Sequence, residues 1–592
     1  MRSRFRIAFW ILAACLALAA GAFFFWLSIQ PYGVVKPFLD SFFDKKGFET
    51  LKPVNFTFFM WVFRVLAFGL VLIAPVLLFW RGAAWREGRQ FVSRLPQDFT
   101  GFVKDLKPSW PGLGAALVLL VIFIAGFVFR MAFINQPIGP DESYSYVAFA
   151  SGTFQDAISD YHLPNNHVFH TILMYLSTHL LGVHLWTVRL PAFLAGLLLV
   201  PFSYLLAARL YKREVGQVTA ALVAAAPVLI NYSSQARGYS ILALISVASL
   251  ILGYYLLEHK NRVGWGVLSL LGAFGFYNLP IMLLPIGVLY VWMSLSHLFS
   301  PTSAPYRSRL EFFIYLAASA IGMIGLTALA YLPIFVRSGF GLFFGNQFVA
   351  SLSWRDFPAT LMSRLQETWA EWTGAVPPVL VGLIIVGLFG SLFLERRTGK
   401  SRFPMQVAAL AWIVALLLLR RYNAWARIWV FLVPLVLMWA AAGLVGMADL
   451  ASTYFLKGRK LAPAVVAGAL LLIVINSAQV IPTLPEKLTY KGDVERVAIY
   501  MVDHLQSQDK FLVSFPDDSP LWYYVMERGI SFPHFQPELG FERVLALVDT
   551  SYNQTLDSVV KDRHLSLAAL DCGNSTPLQV YGVVQLYECK AR

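Results

Sequence analysis

The sequence predicts an all-α polytopic membrane bundle of about thirteen transmembrane helices, followed by a C-terminal extracytoplasmic α/β domain. Of the 592 residues, 58% are hydrophobic and only 14% are charged, a charged fraction well below that of soluble proteins. The mean hydropathy is +0.63. Apolar runs long enough to cross a bilayer recur along most of the chain. After residue 481 the composition changes abruptly to that of a globular protein.

The apolar runs predict thirteen spans. They lie near residues 7–29, 57–80, 112–134, 184–208, 217–233, 238–257, 264–280, 281–298, 313–335, 376–394, 404–420, 428–447 and 463–481. The segment 167–182 is also apolar, but it is short and carries three histidines. Counting it as a further span would place every later basic cluster on the exterior side. We therefore interpret it as a helix along the outer membrane face. The first run resembles a signal peptide but is longer and lacks a convincing cleavage site, so we interpret it as an uncleaved span.

The distribution of Lys and Arg predicts the orientation of these spans. With thirteen spans, the N-terminal arginines, the basic second connection and the later clusters "RLYKRE", "HKNR", "ERRTGKSR" and "KGRK" all fall on one side, which is then cytoplasmic. The N-terminus is cytoplasmic in this topology, and the C-terminal domain lies outside. The net charge of +14 therefore reflects topology. The sequence has no mixed basic and aromatic patch of the kind that nucleic-acid binding needs, so no nucleic-acid partner is expected.

Three domains follow from this pattern. Residues 1–110 form two extra N-terminal transmembrane helices and a cytoplasmic connection, and residues 111–481 form the main membrane domain, with large exterior loops at 135–183 and 336–375. Residues 482–592 form the α/β domain, which is large enough for its own core.

The α/β domain is predicted to have helices in "DVERVAIYMVDHL", "PLWYYVMERG" and "FERVLALVDTSY", and strands in "KFLVSF" and "VYGVVQLYEC". Cys572 and Cys589 flank a predicted hairpin in an oxidising compartment. This favours a disulfide, with two unpaired thiols as the alternative.

Two adjacent acids, Asp141 and Glu142, follow a Gly-Pro turn in "GPDESYSY" at the end of the third span. Acids in this position can cap a helix and complement the positive end of its dipole. A carboxylate at a membrane surface can also act as a general base on an incoming hydroxyl or amine. Adjacent residues of a helix cannot both point into one site, so the two acids are expected to have different roles.

Three histidines lie in the stretch "YHLPNNHVFHTI", namely His162, His167 and His170. Their spacing matches no zinc signature. Asn165 and Asn166 stand in a predicted turn and could cap the following helix. Membrane-interface histidines, a metal site and hydrogen bonds to a polar substrate all remain possible interpretations of this group.

Five arginines map to the exterior ends of spans, against the usual charge bias: Arg189, Arg237, Arg420, Arg421 and Arg427. Snorkelling explains any single one. Five on one membrane face indicate a counter-ion, and phosphate at headgroup depth fits the bidentate geometry of guanidinium groups.

The order of these motifs resembles that of C-type glycosyltransferases, the superfamily of protein O-mannosyltransferases and the lipid A aminoarabinose transferase. An Asp-Glu loop, a histidine segment, "RLP", a basic turn and "SQARGY" follow one another. They resemble in particular the bacterial branch typified by rhizobial galacturonosyltransferases. The resemblance covers residues 110 to 335 well and the rest of the membrane region loosely.

The resemblance implies transfer of a sugar from a polyprenyl-phosphate donor to a glycan, lipid or protein acceptor. It makes Asp141 the candidate base and Glu142 a substrate-placing residue, and it places His167 in the pocket lining. The candidates for binding the phosphate are Arg189, Arg237 and one arginine of "RRYNAWAR".

The further substrate-binding candidates are His162, Asn166, His170 and Tyr239, together with Gln235, which stands where the family often has Glu. No cofactor is expected, although a divalent metal is not excluded. The expected location is a bacterial inner membrane. A transporter of lipid-linked glycans and a non-catalytic envelope assembly protein are the alternatives; the near absence of mid-membrane charge disfavours transport.

Overall fold

The computed structural model describes residues 2–40, 53–79, 81–106, 112–339, 351–400, 402–454, 461–485, 492–530, 532–536, 540–572 and 576–591. Helices dominate up to residue 485, and a small sheet with three helices follows. The predicted division into a helical bundle and a C-terminal α/β unit is therefore present in the structure.

The N-terminal unit consists of four helices: α1 (Arg2–Leu27), α2 (Tyr32–Asp40), α3 (Pro53–Phe79) and α4 (Arg81–Leu106). Helices α1 and α3 pack along each other. Helix α4 joins this unit to the main bundle, because Asn261 donates to the Asp98 carbonyl oxygen over 2.8 Å and Phe102 packs edge-on against Tyr255.

The first half of the main bundle alternates long apolar helices with short helices at one end. The long helices are α5 (Leu113–Met131), α9 (Leu185–Leu210), α10 (Arg213–Ala225), α12 (Tyr239–Glu258), α13 (Arg262–Asn278), α14 (Leu283–Leu298) and α15 (Arg309–Arg337). The short helices are α6 (Pro140–Tyr144), a π-helix (Ser145–Ala150), α7 (Phe154–Ser159), α8 (Val168–Leu181) and α11 (Pro227–Ser233). The predicted loop 135–183 is thus largely helical.

The second half completes the bundle with α16 (Phe357–Thr373), α17 (Pro378–Thr398), α18 (Met405–Arg420), α19 (Val433–Tyr454) and α20 (Ala462–Val480). Helix α16 occupies part of the predicted loop 336–375, whose residues 340–350 lie outside the described ranges. The core of the bundle is formed by α9, α10, α12, α14 and α19, where most large apolar side chains are buried.

Eight helices within the described ranges are long and apolar enough to cross a membrane, and ten spans result if each of two bent pairs counts as one. Each predicted apolar run falls on one helix or on two successive helices, but the count of thirteen spans stays a prediction.

One predicted span, 217–233, is not a continuous helix. It bends by 60° between Ala225 and Pro227, since proline has no backbone N–H and clashes with the preceding turn. Helices α16 and α17 also meet at a sharp angle, 116°, at the Pro377-Pro378 pair.

The C-terminal unit contains α21 (Asp493–Asp503), α22 (Asp518–Glu527) and α23 (Leu556–Asp562) beside a five-stranded sheet. The strands are β1 (Lys510–Val513), β2 (Arg543–Asp549), β3 (Leu570–Asp571), β4 (Gln579–Tyr581) and β5 (Val584–Ala591). Strand order is β1-β2-β5-β3 with β4 paired to β5, and only β1 and β2 run parallel.

One secondary-structure prediction in this unit is wrong. The stretch "FERVLALVDTSY", predicted as a helix, contains β2, which lies between β1 and β5 and is buried on both faces. A strand buried on both faces lacks polar alternation, so periodicity cannot distinguish it from a buried helix. Cys572 and Cys589 form a disulfide, in which Cys589 belongs to β5.

The C-terminal unit packs directly on the short helices of the bundle. The Tyr524 hydroxyl accepts a hydrogen bond of 3.0 Å from the Ile138 backbone N–H, and the Ser519 hydroxyl donates to the Pro140 carbonyl oxygen over 3.1 Å. Tyr523 packs edge-on against Tyr146. These contacts place α22 over α6, which carries the two predicted acids.

Candidate active site

Helix α6 begins at the Gly-Pro turn for a local reason. Gly139 is extended, and Pro140 is the first helical residue, where its missing N–H costs nothing. The Glu142 carboxylate reaches back to accept the Gly139 N–H over 2.9 Å. Glu142 therefore caps α6, and the Asp141 side chain points in another direction.

Glu142 is buried in an ion pair with Arg189. Its two oxygens accept from Arg189 Nη2 at 2.5 Å and Nε at 3.0 Å, and a third bond of 2.8 Å comes from the Ala236 N–H. Glu142 is only 4% exposed, so it positions the chain and does not meet a substrate directly.

Arg189 uses all five of its N–H donors inside the protein. Besides the two bonds to Glu142, it donates to the carbonyl oxygens of residues 134, 136 and 137 over 2.8, 2.6 and 3.3 Å. Its side chain is fully buried. No N–H remains for a phosphate, so we do not retain Arg189 among the phosphate-binding candidates; it fixes the segment that leads into α6.

Asp141 points to the opposite side and faces two arginines. Its carboxylate pairs with Arg237, and Arg427 Nη1 lies 3.4 Å from Oδ2. Asn165 donates to Oδ1 over 3.3 Å. The Asp141 side chain is 52% exposed, whereas Arg237 is buried and Arg427 is partly exposed. A half-open carboxylate held between two guanidinium groups is the central feature of the site.

The charges around Asp141 set its protonation. Partial burial acts to raise its pKa, but Arg237, then Arg427 and the bond from Asn165, outweigh burial, and the pKa lies below the ordinary value. Asp141 is therefore ionised at neutral pH.

The predicted histidine stretch, residues 161–172, contacts α6, and its three histidines have different surroundings. His162 lies beside Tyr144, whereas His167 is buried and its Nδ1 accepts the Gly238 N–H over 2.8 Å. Burial, with Arg237 adding to it, lowers the pKa of His167 well below its usual value and that of His170 to about 3. Both of these histidines are neutral.

The asparagines do not cap α8. His167 is its N-cap residue, without a side-chain cap bond, and Asn166 donates instead to the Asp160 carbonyl oxygen over 2.6 Å. Gly238 is required by a close approach, because a Cβ there would lie 2.5 Å from the Asn278 side chain.

The remaining predicted residues are only partly brought together. Tyr239 stacks edge-on against His167 at 5.2 Å, and Arg237 lies over its ring at 5.6 Å. Gln235 donates to Asn231 over 3.0 Å. From "RRYNAWAR" only Arg427 reaches Asp141. Arg420 is exposed at the end of α18, and Arg421 lies over the Trp354 ring at 4.9 Å.

Sequence reasoning missed several residues of this region. Tyr144 and Asp160 flank His162, and nothing in their spacing indicated this contact. Arg130 was visible as a lone charge inside an apolar run. It is fully buried in α5, where Nη1 donates to the carbonyl oxygens of Gly126 and Ala224.

An apolar cavity of about 300 Å³ lies within the bundle. Its wall includes Val228 at the start of α11 and Trp369 and Trp372 of α16, together with residues of α10, α17, α19 and α20. Glu371, next to Trp372, bonds to the Tyr232 hydroxyl.

Tyr232 in turn packs edge-on against Tyr239, with 5.3 Å between the ring centroids. The Arg237 guanidinium lies over the Tyr239 ring. Contacting side chains thus connect the cavity wall to the Asp141 cluster.

Among the described residues, no three His, Cys, Asp or Glu side chains are grouped so that they could hold a metal ion. The expectation that the protein works without a cofactor stays a prediction.

Part of the chain, in the first half of the main bundle, matches a known protein family. Residues 168–334 match the family model described as dolichyl-phosphate-mannose-protein mannosyltransferase. No curated protein matches the sequence significantly. The specific resemblance to rhizobial galacturonosyltransferases stays a prediction.

Among solved structures, the fold is similar to that of ArnT from Cupriavidus metallidurans. The apo structure gives a TM-score of 0.54 at 14% identity, covering 81% of this chain and 98% of that chain. The structure of ArnT bound to undecaprenyl phosphate gives a TM-score of 0.50 at 16% identity, covering 83% and 98%.

Proposed function

We propose that this protein is a membrane glycosyltransferase that moves a sugar from a polyprenyl-phosphate donor to an envelope glycan, a lipid or a protein. The observation that carries the proposal is the cluster of Asp141, Arg237 and Arg427, in which an ionised, half-exposed carboxylate faces two guanidinium groups.

The cluster holds the two kinds of group that such a transfer needs. The guanidinium groups of Arg237 and Arg427 bind the phosphate of the donor and stabilise the charge that develops as it leaves. Asp141 accepts the proton of the acceptor nucleophile while that nucleophile attacks the anomeric carbon. The bond between the anomeric carbon and the phosphate oxygen breaks as the new glycosidic bond forms, so the sugar is transferred in one displacement.

The apolar cavity provides a place for the prenyl chain. Its volume of about 300 Å³ suits an isoprenoid segment, and its wall continues through Tyr232 and Tyr239 to Arg237. ArnT, which has a similar fold, was solved bound to undecaprenyl phosphate. That likeness supports the same donor class here.

The charge bias of the sequence supports a bacterial inner-membrane location with a cytoplasmic N-terminus. In this orientation α6 and the C-terminal unit face the exterior, where the acceptor would be met. The arginines supply the positive charge that a departing phosphate requires, so the proposed reaction uses no cofactor.

Two other functions fit the site less well. A transporter of lipid-linked glycans would leave Asp141 without a chemical role, and an assembly protein would need neither the arginine pair nor the cavity. Neither is favoured by a specific observation of the site.

The substitution Asp141→Asn tests the proposal. In a deletion strain complemented with this variant, we expect loss of the product glycan and accumulation of the lipid-linked sugar, both measured by mass spectrometry. Asp449→Asn, at a similarly exposed carboxylate paired with Lys212, is the matched control and should keep activity. Full activity of Asp141→Asn at an equal protein level would refute the proposal.

A further inference from the structure

Arg427 stands just after a stretch of irregular backbone. Residues 421–425, which lead from α18 to Arg427, form neither helix nor strand. The contact of Arg427 with Asp141 is long, at 3.4 Å between Nη1 and Oδ2, whereas Asp141 pairs more closely with Arg237. A contact of that length does little to hold the Arg427 side chain. The position of Arg427 therefore depends mainly on what holds residues 421–425.

The residues that lead into α16 hold the first residue of this stretch. The Leu352 N–H donates to the Arg421 carbonyl oxygen over 2.9 Å, and the Arg421 guanidinium lies over the Trp354 ring at 4.9 Å. Arg421 has a left-handed backbone, with φ of 46°, which ends α18. The chain that leaves α18 is thus tied to the segment before α16.

Arg364 of α16 holds the same stretch further along. Its Nε donates to Asn423 Oδ1 over 2.7 Å. Its guanidinium carbon lies 3.4 Å from the centre of the Trp425 ring, which is the distance of a direct stack. The guanidinium carbon of Arg427 lies 5.6 Å from the centre of the same ring. One side chain of α16 therefore contacts Asn423 and Trp425, and Trp425 contacts Arg427.

Glu367 fixes the Arg364 side chain. Arg364 Nη1 donates to both Glu367 carboxylate oxygens, over 2.8 and 2.6 Å, one helical turn away in α16. The Arg364 side chain is only 17% exposed. Its charge is thus paired within its own helix, whereas the Arg427 side chain is 37% exposed and faces Asp141.

We propose that Arg364 is a positioning residue that sets Arg427 for the donor phosphate through Asn423 and Trp425, an inference that rests on the proposed function. Arg364 itself does not touch the phosphate. It holds Asn423 and stacks on Trp425, and the Trp425 ring then limits where the Arg427 guanidinium lies. A planar guanidinium can bond to Asn423, pair with Glu367 and stack on a ring at the same time, which a Lys ammonium cannot do.

Helix α16 also borders the apolar cavity. Trp369 and Trp372, later in the same helix than Arg364, form part of the cavity wall. In the proposed function, α16 therefore lines the place of the prenyl chain and also holds the residues that place Arg427. Both ends of the lipid donor are positioned against one helix.

A double-mutant cycle between Arg364 and Arg427 tests the proposal. Native mass spectrometry measures the Kd of undecaprenyl phosphate for the purified protein in lipid nanodiscs. The variants are Arg364→Gln, Arg364→Lys, Trp425→Ala and Arg427→Gln, each Arg364 or Trp425 variant also being combined with Arg427→Gln. The matched control is Arg496→Gln, which removes another ion pair between residues three apart on a helix, that with Asp493 in α21.

Arg364→Gln should raise the Kd by about 10-fold in the wild-type background, through the displaced charge-assisted bond of Arg427. In the Arg427→Gln background it should change the Kd by less than about twofold, because the group that it positions is gone. Trp425→Ala should show the same pattern. Arg364→Lys should lose nearly as much binding as Arg364→Gln, and Arg496→Gln should bind as the wild type does.

Equal losses from Arg364→Gln in the two backgrounds would overturn the proposal, because Arg364 would then act independently of Arg427. Full binding by Arg364→Lys would overturn it as well, since a positive charge alone would suffice and Arg364 would meet the phosphate directly. Where Arg364→Gln lowers the yield of folded protein, the cycle with Arg364→Lys decides in the same way. Failure of the proposed function is distinguishable, because it appears in the wild type, which would form no product in membranes and would remove the basis of both proposals.

Discussion

The buried pair of Glu142 and Arg189 predicts how strongly α6 is held in place. Glu142 accepts four hydrogen bonds, two from Arg189 and one each from the N–H groups of Gly139 and Ala236. In Glu142→Gln, an amide NH₂ group replaces one carboxylate oxygen and faces the N–H groups that donated to that oxygen. The fully buried Arg189 also loses its counter-charge. Breaking one partner of such a pair costs about 3–5 kcal/mol.

This loss of free energy should appear as more frequent local opening of the segment around α6. At about 1.4 kcal/mol for each factor of ten, it corresponds to a roughly 100- to 4,000-fold larger open population of the segment. Hydrogen–deuterium exchange with mass spectrometry, on the purified protein in lipid nanodiscs, measures this population. The amides of Gly139 and Ala236 should exchange faster by a similar factor.

The matched control is Glu311→Gln. Glu311 pairs with Lys260 at 2.6 Å, but both side chains are about one-quarter exposed. Loss of this pair should therefore increase hydrogen exchange of the amides around Glu311 by less than about tenfold. If Glu142→Gln and Glu311→Gln increased exchange equally, the buried pair would not be what holds α6, and the reasoning would fail.

Three further predictions concern the phosphate site, pH and the disulfide. Arg427→Gln should weaken undecaprenyl phosphate binding, measured by native mass spectrometry, by about 10- to 100-fold through loss of a charge-assisted bond. Arg420→Gln should not, and equal losses would contradict the assignment. Because the folded protein keeps His170 neutral down to a pKa of about 3 while the unfolded chain protonates near 6.5, stability should fall as pH falls from 6.5. The loss from this group is about 1.4 kcal/mol per pH unit, and thermal melts of His170→Gln should show a smaller slope with pH. Replacing both Cys572 and Cys589 by Ser should lower the unfolding free energy of the C-terminal unit by about 3 kcal/mol, given their separation of 17 residues. Pulse proteolysis measures this change, and an unchanged midpoint would contradict it.

The helical bundle was predictable because each span carries its own signal, an apolar run of sufficient length. The assignments within the acid pair were not. Asp141 and Glu142 are equivalent in the sequence, and what distinguishes them is Arg189, 47 residues later, and the Ala236 N–H, 94 residues later. Likewise, all five candidate arginines looked alike, and only their partners separate Arg189 from Arg427.

Strand β2 was missed for a related reason. Its backbone pairs with β1 and β5, and its apolar run does not show whether the backbone hydrogen bonds form within the segment or to neighbouring strands. Local patterns predict local structure, whereas pairing between distant segments needs the folded chain.

The hydrogen bond between Ile138 and Tyr524 joins residues 386 positions apart. A ribosome must therefore reach residue 524 before the segment leading to Asp141 has this contact. During insertion, the bundle exists for a long interval with this segment uncovered and without the contact from Ser519. The outer contacts on α6 therefore require synthesis as far as residue 524, whereas the partners of Asp141 itself are all made by residue 427.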